Sequence, residues 1–122
     1  MMRGSYQLIL HLPKATVLQV GRRGTFLFPA GLYVYTGSAL NGVEGRLNRH
    51  RRQNKTLHWH IDYLLCHARI ISIRVFPTPR KVECALNREV LKQPRAQVIA
   101  KGFGSSDCRC ASHLVFLGQL RT

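Results

Sequence analysis

The sequence predicts an α+β fold, with a small, mainly antiparallel β-sheet of three or more strands flanked by helices. Short segments rich in β-branched and aromatic residues, each bounded by glycine or proline, predict the strands. Apolar residues three or four positions apart predict the helices. The order is strands, helices, strand, helix, strand, which is typical of an α+β domain rather than of an alternating parallel sheet.

The first part of the chain is predicted to be all strand. Pro13-Lys14, Gly21–Gly24 and Pro29–Gly31 separate its segments as turns. We expect Thr36-Gly37-Ser38 to end the fourth strand. The predicted strands are Tyr6–Leu12, Thr16–Val20, Thr25–Phe28 and Leu32–Tyr35.

The second part of the chain is predicted to be mainly helical. Helices are expected over residues 43–52, 60–68 and 81–92. Between the last two helices, Arg69–Phe76 alternates and is rich in Ile and Val, which predicts a strand. Residues 102–113 form a loop before a short last strand at Leu114–Leu117.

Composition favours a nucleic-acid partner. The chain is long enough for one domain, residues 1–122, and its 19 Lys and Arg against five acidic residues give a net charge of +14. Arginine dominates this set, and its planar guanidinium matches phosphate oxygens. We therefore expect DNA as the partner and no membrane, since no basic amphipathic helix with a large aromatic face is evident.

No segment resembles a signal peptide or a membrane span. The apolar run Ser5–Leu12 is short and is followed by Pro13-Lys14. A cytoplasmic location is therefore expected. In that compartment cysteines are reduced thiols or metal ligands more often than disulfides. The chain has four: Cys66, Cys84, Cys108 and Cys110.

The strongest functional signal lies between Gly31 and His50, where a strand, a glycine turn and a short basic helix follow one another. Arg46 and His50 are four residues apart, so their side chains point the same way on a helix. Tyr6 and Tyr35 lie in strands next to glycines. A phenol, a guanidinium and an imidazole beside a turn suit phosphodiester chemistry better than they suit packing.

Three short motifs follow one another in the chain, and these are Gly4-Ser5-Tyr6, Tyr35-Thr36-Gly37 and, further on, Arg46. In this order they resemble the pattern of the GIY-YIG nuclease superfamily. In that superfamily a Gly-x-Tyr strand pairs with a Tyr-x-Gly strand, and a helix bearing an arginine follows. Later segments are similar to its DUF123 branch, whose members occur alone or joined to an endonuclease III-like glycosylase. These segments are His58–Leu64, Glu83-Cys84 and Phe103–Leu114.

The resemblance, over Gly4–Leu117, implies a GIY-YIG-like fold and a metal-dependent DNA endonuclease that acts in DNA repair or on structured DNA. It also suggests a DNA glycosylase as an associated protein. Two departures stand out. Residues 13–31 are inserted between the tyrosines, and the late asparagine of many members is absent after Asn87, where Ser106 or Asp107 could stand in.

The resemblance also implies roles for individual residues. Tyr6 and Tyr35 would position or act as the general base for water. Arg46 would bind the scissile phosphate, and His50 would orient a tyrosine or protonate the leaving group. Local positive charge is expected to lower the tyrosine pKa from its ordinary value of about 10. Three further arginines are expected to form a solvated basic face that contacts the DNA backbone: Arg49, Arg51 and Arg52.

Glu83 is the candidate ligand for Mg²⁺ or Mn²⁺, with Glu89 as the second choice. Acids are scarce in this chain, and on the third predicted helix Glu83 flanks an apolar stripe. One carboxylate, with substrate phosphates and waters, suffices for a Mg²⁺ site. The alternative is an acidic residue that interacts favourably with the helix dipole. The predicted stripe consists of Val82, Ala85, Leu86 and Val90.

His58, His60 and Asp62 have residue types that bind transition metals. The alternative is that His60 and Asp62 cap and buttress the helix while Trp59 and Tyr63 pack. We favour a supporting role near the active site, in which Asp62 orients His50 or His60.

Cys108, Cys110 and His113 offer three zinc ligands within six residues, with Cys66, His67 or Cys84 as a fourth. Small buried thiols are the alternative. Zinc is thus the less favoured cofactor. Beside the nuclease hypothesis, the sequence leaves open an inactive nucleic-acid-binding module of the same fold and a zinc-stapled interaction protein.

Overall fold

The computed structural model describes residues 2–39, 42–52, 55–105 and 108–119. Its strands are β1 (Gly4–Leu12), β2 (Thr16–Gln19), β3 (Thr25–Phe28), β4 (Gly31–Ala39), β5 (Arg69–Pro77) and β6 (Leu114–Gly118). Its helices are α1 (Val43–Arg51), α2 (His60–Leu65) and α3 (Glu83–Leu91). The predicted α+β class is confirmed.

The main sheet has four strands in the order β5-β1-β4-β6, and each neighbouring pair is antiparallel. β2 and β3 form a separate two-stranded sheet. This hairpin accounts for most of the insertion at residues 13–31. Because β1 and β4 pair directly, the insertion does not separate the two tyrosines.

One face of the main sheet forms the core. Alternate side chains of β1 from Tyr6 to Leu12 are at most 1% exposed, because residues two apart on a strand share a face. Tyr33 and Tyr35 of β4 belong to the same cluster. Leu47 of α1 and Ile61 of α2 also pack into it. Each such apolar side chain contributes roughly 1.5–3 kcal/mol by leaving water.

β4 continues to Ala39, so the prediction that Thr36-Gly37-Ser38 ends this strand is wrong. Gly37 pairs with Tyr6 in the β1–β4 ladder. The glycine provides space here rather than a turn, because a Cβ on Gly37 would lie 2.5 Å from the Tyr6 hydroxyl. The chain turns instead at Gly42, whose φ is 131°. Asn41, next to it, lies outside the described residues.

The two later helices differ from the prediction in detail. α2 ends at Leu65, three residues before the predicted end. The buried residues of α3 are polar, Glu83 and Asn87, whereas Ala85 of the predicted stripe is exposed. The apolar stripe is therefore not the face that this helix buries. Asn87 Nδ2 donates a hydrogen bond to the Ser112 carbonyl at 2.7 Å. Among the helices described, none has the length and apolar character needed to cross a bilayer.

Candidate active site

Tyr6 and Tyr35 converge because of the register between β1 and β4. Tyr6 pairs with Gly37, and Leu8 pairs with Tyr35. The two tyrosines therefore lie on adjacent strands and on the same face, two positions apart. Their ring centroids are 6.5 Å apart.

α1 places His50 against both tyrosines. Leu47 is buried against the sheet, and His50, one turn further on, is 2% exposed. The Tyr6 hydroxyl lies 2.7 Å from His50 Nε2. The His50 and Tyr35 ring centroids are 6.2 Å apart. Nδ1 of His50 is buried and has no hydrogen-bond partner among the described residues.

An open cleft of about 480 Å³ lies beside this cluster, and Tyr35, Arg46 and Glu83 line it. A cleft of this size accommodates a small ligand group. Tyr6 and His50 do not line the cleft and lie beneath it. Tyr6 is fully buried, with its hydroxyl against Gly37, which does line the cleft.

Arg46 and Arg49 both stack on the ring of Trp59. Their Cζ atoms lie 4.1 and 4.0 Å from the ring centroid. Such contacts stabilise a guanidinium while leaving its N–H groups available at the edge. Trp59 also lines the cleft. It therefore holds Arg46 at the wall of the cleft.

Asp62 holds Arg49 in place through hydrogen bonds. Its carboxylate accepts two hydrogen bonds from Arg49, at 2.8 and 2.9 Å, and one each from the backbone N–H groups of His58 and Trp59. Burial alone raises the pKa of the Asp62 carboxyl, but these hydrogen bonds outweigh burial and lower it. Asp62 thus caps α2 and orients Arg49. The expectation that it orients His50 or His60 is wrong.

The basic face on α1 is smaller than predicted. Arg51 and Arg52 are exposed as expected. Arg49 is not a solvated side chain, because its guanidinium is held by Asp62 and its side chain is only 20% exposed.

His58 and His60 both line the cleft but make different contacts. Nδ1 of His60 accepts a hydrogen bond from the Gly104 N–H at 2.8 Å, so the proton of the neutral ring is on Nε2. Burial, then the charge of Arg23, lowers the pKa of His60. His58 is exposed and bonds to Asp62 only through its backbone. In the part of the chain that the structure describes, these residues do not form a three-ligand metal cluster.

Glu83 is the first residue of α3 and lines the cleft, although only 8% of it is exposed. Lys81 Nζ lies 3.4 Å from its Oε1. The position at the helix start fits the dipole interpretation as well as the ligand interpretation. The second choice, Glu89, is 71% exposed and pairs with Lys92 on the outer face, so it does not reach the cleft.

The expectation that positive charge lowers the tyrosine pKa values is wrong. Burial raises the pKa of Tyr6 to about 12, although the charge and hydrogen bonding of Arg46 oppose this. Burial also raises the pKa of Tyr35. Burial, followed by the charge of Lys55, lowers the pKa of His50 to about 4. At neutral pH the pair is therefore a phenol and a neutral imidazole.

A second cluster adjoins the cleft. Cys84, Cys108, Cys110 and His113 each offer one ligand atom, and these four atoms lie within 4.8 Å of one another. The fourth member is therefore Cys84. Cys66 and His67 lie in the turn after α2, and both are exposed. The structure brings together the three predicted ligands and selects between the alternatives for the fourth.

Sequence reasoning missed two contributors to the cleft. Trp59 was expected only to pack, and Lys81 was expected only to begin a helix. The signal for Trp59 was its position beside His58 and His60 in a basic chain, since an aromatic ring can stack on guanidinium groups. Ser106 and Asp107, the expected substitutes for the late asparagine, lie outside the described residues.

Comparison with known proteins identifies the family. No curated protein and no solved structure matches the chain. The family model described as "Domain of unknown function DUF123" matches residues 5–122. This match spans nearly the whole sequence and includes every residue of the cleft and of the cysteine cluster. The chain therefore belongs to the DUF123 family.

Proposed function

We propose that this protein is a metal-dependent endonuclease that hydrolyses phosphodiester bonds in DNA, with a GIY-YIG-like active site. One observation carries the proposal: Tyr35, Arg46 and Glu83 line one cleft, and the Tyr6–His50 pair lies directly beneath it. A structural role alone does not require a phenol, a guanidinium and a carboxylate to converge on an open surface.

The charge of the chain supports DNA as the substrate. A net charge of +14 attracts a polyanion and releases its counterions. Arg51 and Arg52 are exposed at the end of α1, the helix that also carries Arg46. In this proposal they contact the backbone beyond the scissile phosphate, while Arg46 contacts that phosphate itself.

Arg46 stabilises the negative charge that grows on the phosphate oxygens as water attacks. Its stacking on Trp59 restricts its motion before substrate arrives. Preorganised donors of this kind stabilise a transition state without reorganisation at the moment of reaction.

Tyr6 and His50 move the proton of the attacking water. The Tyr6 pKa of about 12 means that the hydroxyl begins as a phenol. The buried Tyr6 hydroxyl adjoins Gly37, a lining residue of the cleft, and substrate binding would have to open this contact to the water. As the water oxygen bonds to phosphorus, Tyr6 Oη then takes the water proton and passes its own proton to His50 Nε2. A His50 pKa of about 4 keeps this acceptor neutral at physiological pH, but it also makes the imidazole a weak base.

His60 assists the departing oxygen. Because its Nδ1 accepts from Gly104, its Nε2–H is a donor in the cleft. This N–H hydrogen-bonds to the leaving oxygen, which finally takes its proton from solvent. His50 Nε2 lies 2.7 Å from the Tyr6 hydroxyl, so we assign it to the tyrosine and not to the leaving group.

Glu83 would hold the divalent cation. The other buried carboxylate near the cleft, that of Asp62, is fully engaged by Arg49 and two backbone N–H groups. Glu83 is the carboxylate among the described residues that line the cleft, and one of its oxygens, Oε1, is shared with Lys81 at 3.4 Å. One carboxylate with phosphate oxygens and waters fits Mg²⁺ or Mn²⁺. When bound, such an ion neutralises charge on the phosphate.

A second candidate function is an inactive DNA-binding module with the same fold. The high pKa of Tyr6 and Tyr35 favours it, because neither phenol is ionised in the resting protein. Both candidates use Arg46, Arg51 and Arg52 for phosphate contacts, and they differ only in whether the bond is cut.

The test incubates purified protein with branched, flapped and nicked DNA in Mg²⁺, Mn²⁺ or EDTA. We expect metal-dependent nicking that Arg46→Ala and Glu83→Gln each abolish. Arg88→Ala and Glu89→Gln are matched controls on the exposed side of α3, and both should keep full activity. Binding without cleavage would favour the inactive module, and neither binding nor cleavage would overturn both candidates.

Salt provides an independent check on the partner. Phosphate contacts release counterions, so the logarithm of the binding constant should fall steeply and linearly with the logarithm of salt concentration. Arg51→Ala and Arg52→Ala should each reduce that slope by about one. A flat response to salt would contradict the assignment of DNA as the partner.

A further inference from the structure

We infer that Cys84, Cys108, Cys110 and His113 form a structural zinc site that joins α3 to the segment preceding β6. The inference concerns a different set of side chains from the proposed catalytic groups. Its basis is the geometry of the four ligand atoms, which lie within 4.8 Å of one another.

The distances fit tetrahedral zinc. With Zn–S bonds of about 2.3 Å and Zn–N bonds of about 2.05 Å, a tetrahedron separates sulfur from nitrogen by roughly 3.6 Å. His113 Nε2 lies 3.5 Å from Cys84 Sγ and 3.4 Å from Cys108 Sγ. These three atoms are therefore spaced as the ligands of one tetrahedral ion are, and Cys110 Sγ lies within 4.8 Å of each of them.

His113 is oriented for this task. Its ring is 2% exposed, and its Nδ1 lies 3.2 Å from the Thr36 carbonyl oxygen. A carbonyl at that distance accepts the Nδ1 proton, which leaves the Nε2 lone pair directed at the thiols. Metal-binding histidines are commonly oriented by a carbonyl in this way.

The ligand set selects the metal. Three thiolates and one imidazole are soft donors, which bind Zn²⁺ and disfavour Mg²⁺. Four protein ligands leave no open position for water or substrate, so the site is structural rather than catalytic. Binding releases the three thiol protons as the metal–sulfur bonds form.

The site would also support the cleft, a consequence that rests on the proposed function. Cys84 follows Glu83 in the first turn of α3. His113 is tied to β4 through its ring and through its carbonyl, which accepts the Thr36 N–H at 3.0 Å. Zinc would thus fix the helix start that carries Glu83 relative to the strand that carries Tyr35.

The experiment measures zinc and iron per chain by mass spectrometry, on protein purified without chelator and without a histidine tag. We expect about one zinc per chain in the wild type and in Cys66→Ser, whose thiol is exposed and outside the cluster. Cys84→Ser and Cys108→Ser should each lose at least five-fold in zinc content. A folded wild type without zinc, or equal loss in Cys66→Ser, would overturn the inference.

A second measurement uses only the wild type, in case the cysteine variants do not fold. In the zinc-loaded protein a thiol reagent should modify one cysteine rapidly, and all four only after chelator and denaturant are added. Cobalt exchanged into the site should give the intense visible bands of a tetrahedral thiolate complex. Rapid modification of all four thiols in the native protein would contradict the site.

Failure of the zinc site and failure of the nuclease proposal are separable. Glu83→Gln should keep its zinc while it loses nicking, because its carboxylate is not a zinc ligand. Absent nicking with full zinc would therefore count against the nuclease alone. Nicking by a folded, zinc-free protein would count against the zinc site alone.

Discussion

The hydroxyl of Tyr6 lies 2.7 Å from Nε2 of His50, although 44 residues separate the two in the chain. Both groups are buried, the tyrosine completely and the histidine at 2% exposure. Burial keeps each of them neutral at physiological pH. The two therefore form a hydrogen-bonded pair of a phenol and a neutral imidazole, with the proton favoured on the phenol oxygen.

Tyr6→Phe should lower the nicking rate by about 10²–10⁴-fold. The reason is that the proposed proton path from water to His50 loses the Tyr6 hydroxyl, which connects the two. Stability should fall by about 1–3 kcal/mol, because the buried His50 Nε2 is left without its partner. Single-turnover nicking and urea denaturation measure the two effects. Tyr33→Phe is the matched control, since that hydroxyl donates to the Pro29 carbonyl away from the cleft. Cleavage by Tyr6→Phe at the wild-type rate would remove this tyrosine from the mechanism.

Gly37→Ala should destabilise the protein by about 1–3 kcal/mol and abolish nicking. The new methyl would lie 2.5 Å from the Tyr6 hydroxyl, so the phenol must move. Gly45→Ala is the opposite case, because nothing lies within 4 Å of its Cβ in α1. It should stabilise the protein by about 0.5–1 kcal/mol. Thermal unfolding of both variants checks the contrast, and equal changes would refute the steric explanation.

Asp62→Asn should cost about 2–4 kcal/mol of unfolding free energy, because it leaves the Arg49 guanidinium without its carboxylate. Arg46 should also lose positional order, since Arg49, which stacks on the same Trp59 ring, is no longer held by the carboxylate. The control is Glu89→Gln, which breaks an exposed pair with Lys92 and should cost less than about 0.5 kcal/mol. Urea denaturation at neutral pH compares the two. Similar small losses would show that the buried pair adds little.

The stability of the protein should fall with pH between about 6.5 and 4 because of His50. The unfolded imidazole binds a proton near pH 6.5, whereas the folded one does so only near pH 4. His50 thus contributes stability fully above pH 6.5 and loses it as pH falls, by roughly 3 kcal/mol in all. His50→Gln should lose about 2 kcal/mol less than the wild type between pH 7.5 and 4.5. The exposed His67→Gln should behave as the wild type does, and identical pH curves for all three would contradict the assignment.

The sequence predicted most elements because local signals agree with the final packing. β3 matches its predicted bounds, and β1, β2, β5 and β6 differ from theirs by one or two residues. The prediction failed at Gly37 because a glycine in a sequence suggests the end of a strand. A glycine is needed there because the Tyr6 hydroxyl on the neighbouring strand occupies the space of a Cβ. Only the register of the sheet shows this contact.

Parts of the candidate site could not be predicted without the tertiary structure. The partner of Asp62 is Arg49, 13 residues away and on another helix, and periodicity within either helix does not indicate it. Cys84 lies 24 residues before Cys108, so spacing left it as one of three alternatives. The pKa of Tyr6 was expected to fall because charge is visible in a sequence, whereas the burial that dominates is not.

Trp59, on whose ring Arg46 and Arg49 both stack, is the only tryptophan of the protein. Its emission therefore reports on a single location. If an anion bound in the cleft displaced Arg46, quenching by that guanidinium would change, so binding would be visible in unlabelled protein. Trp59 is thus an intrinsic fluorescent probe of the cleft in which the proposed substrate would bind.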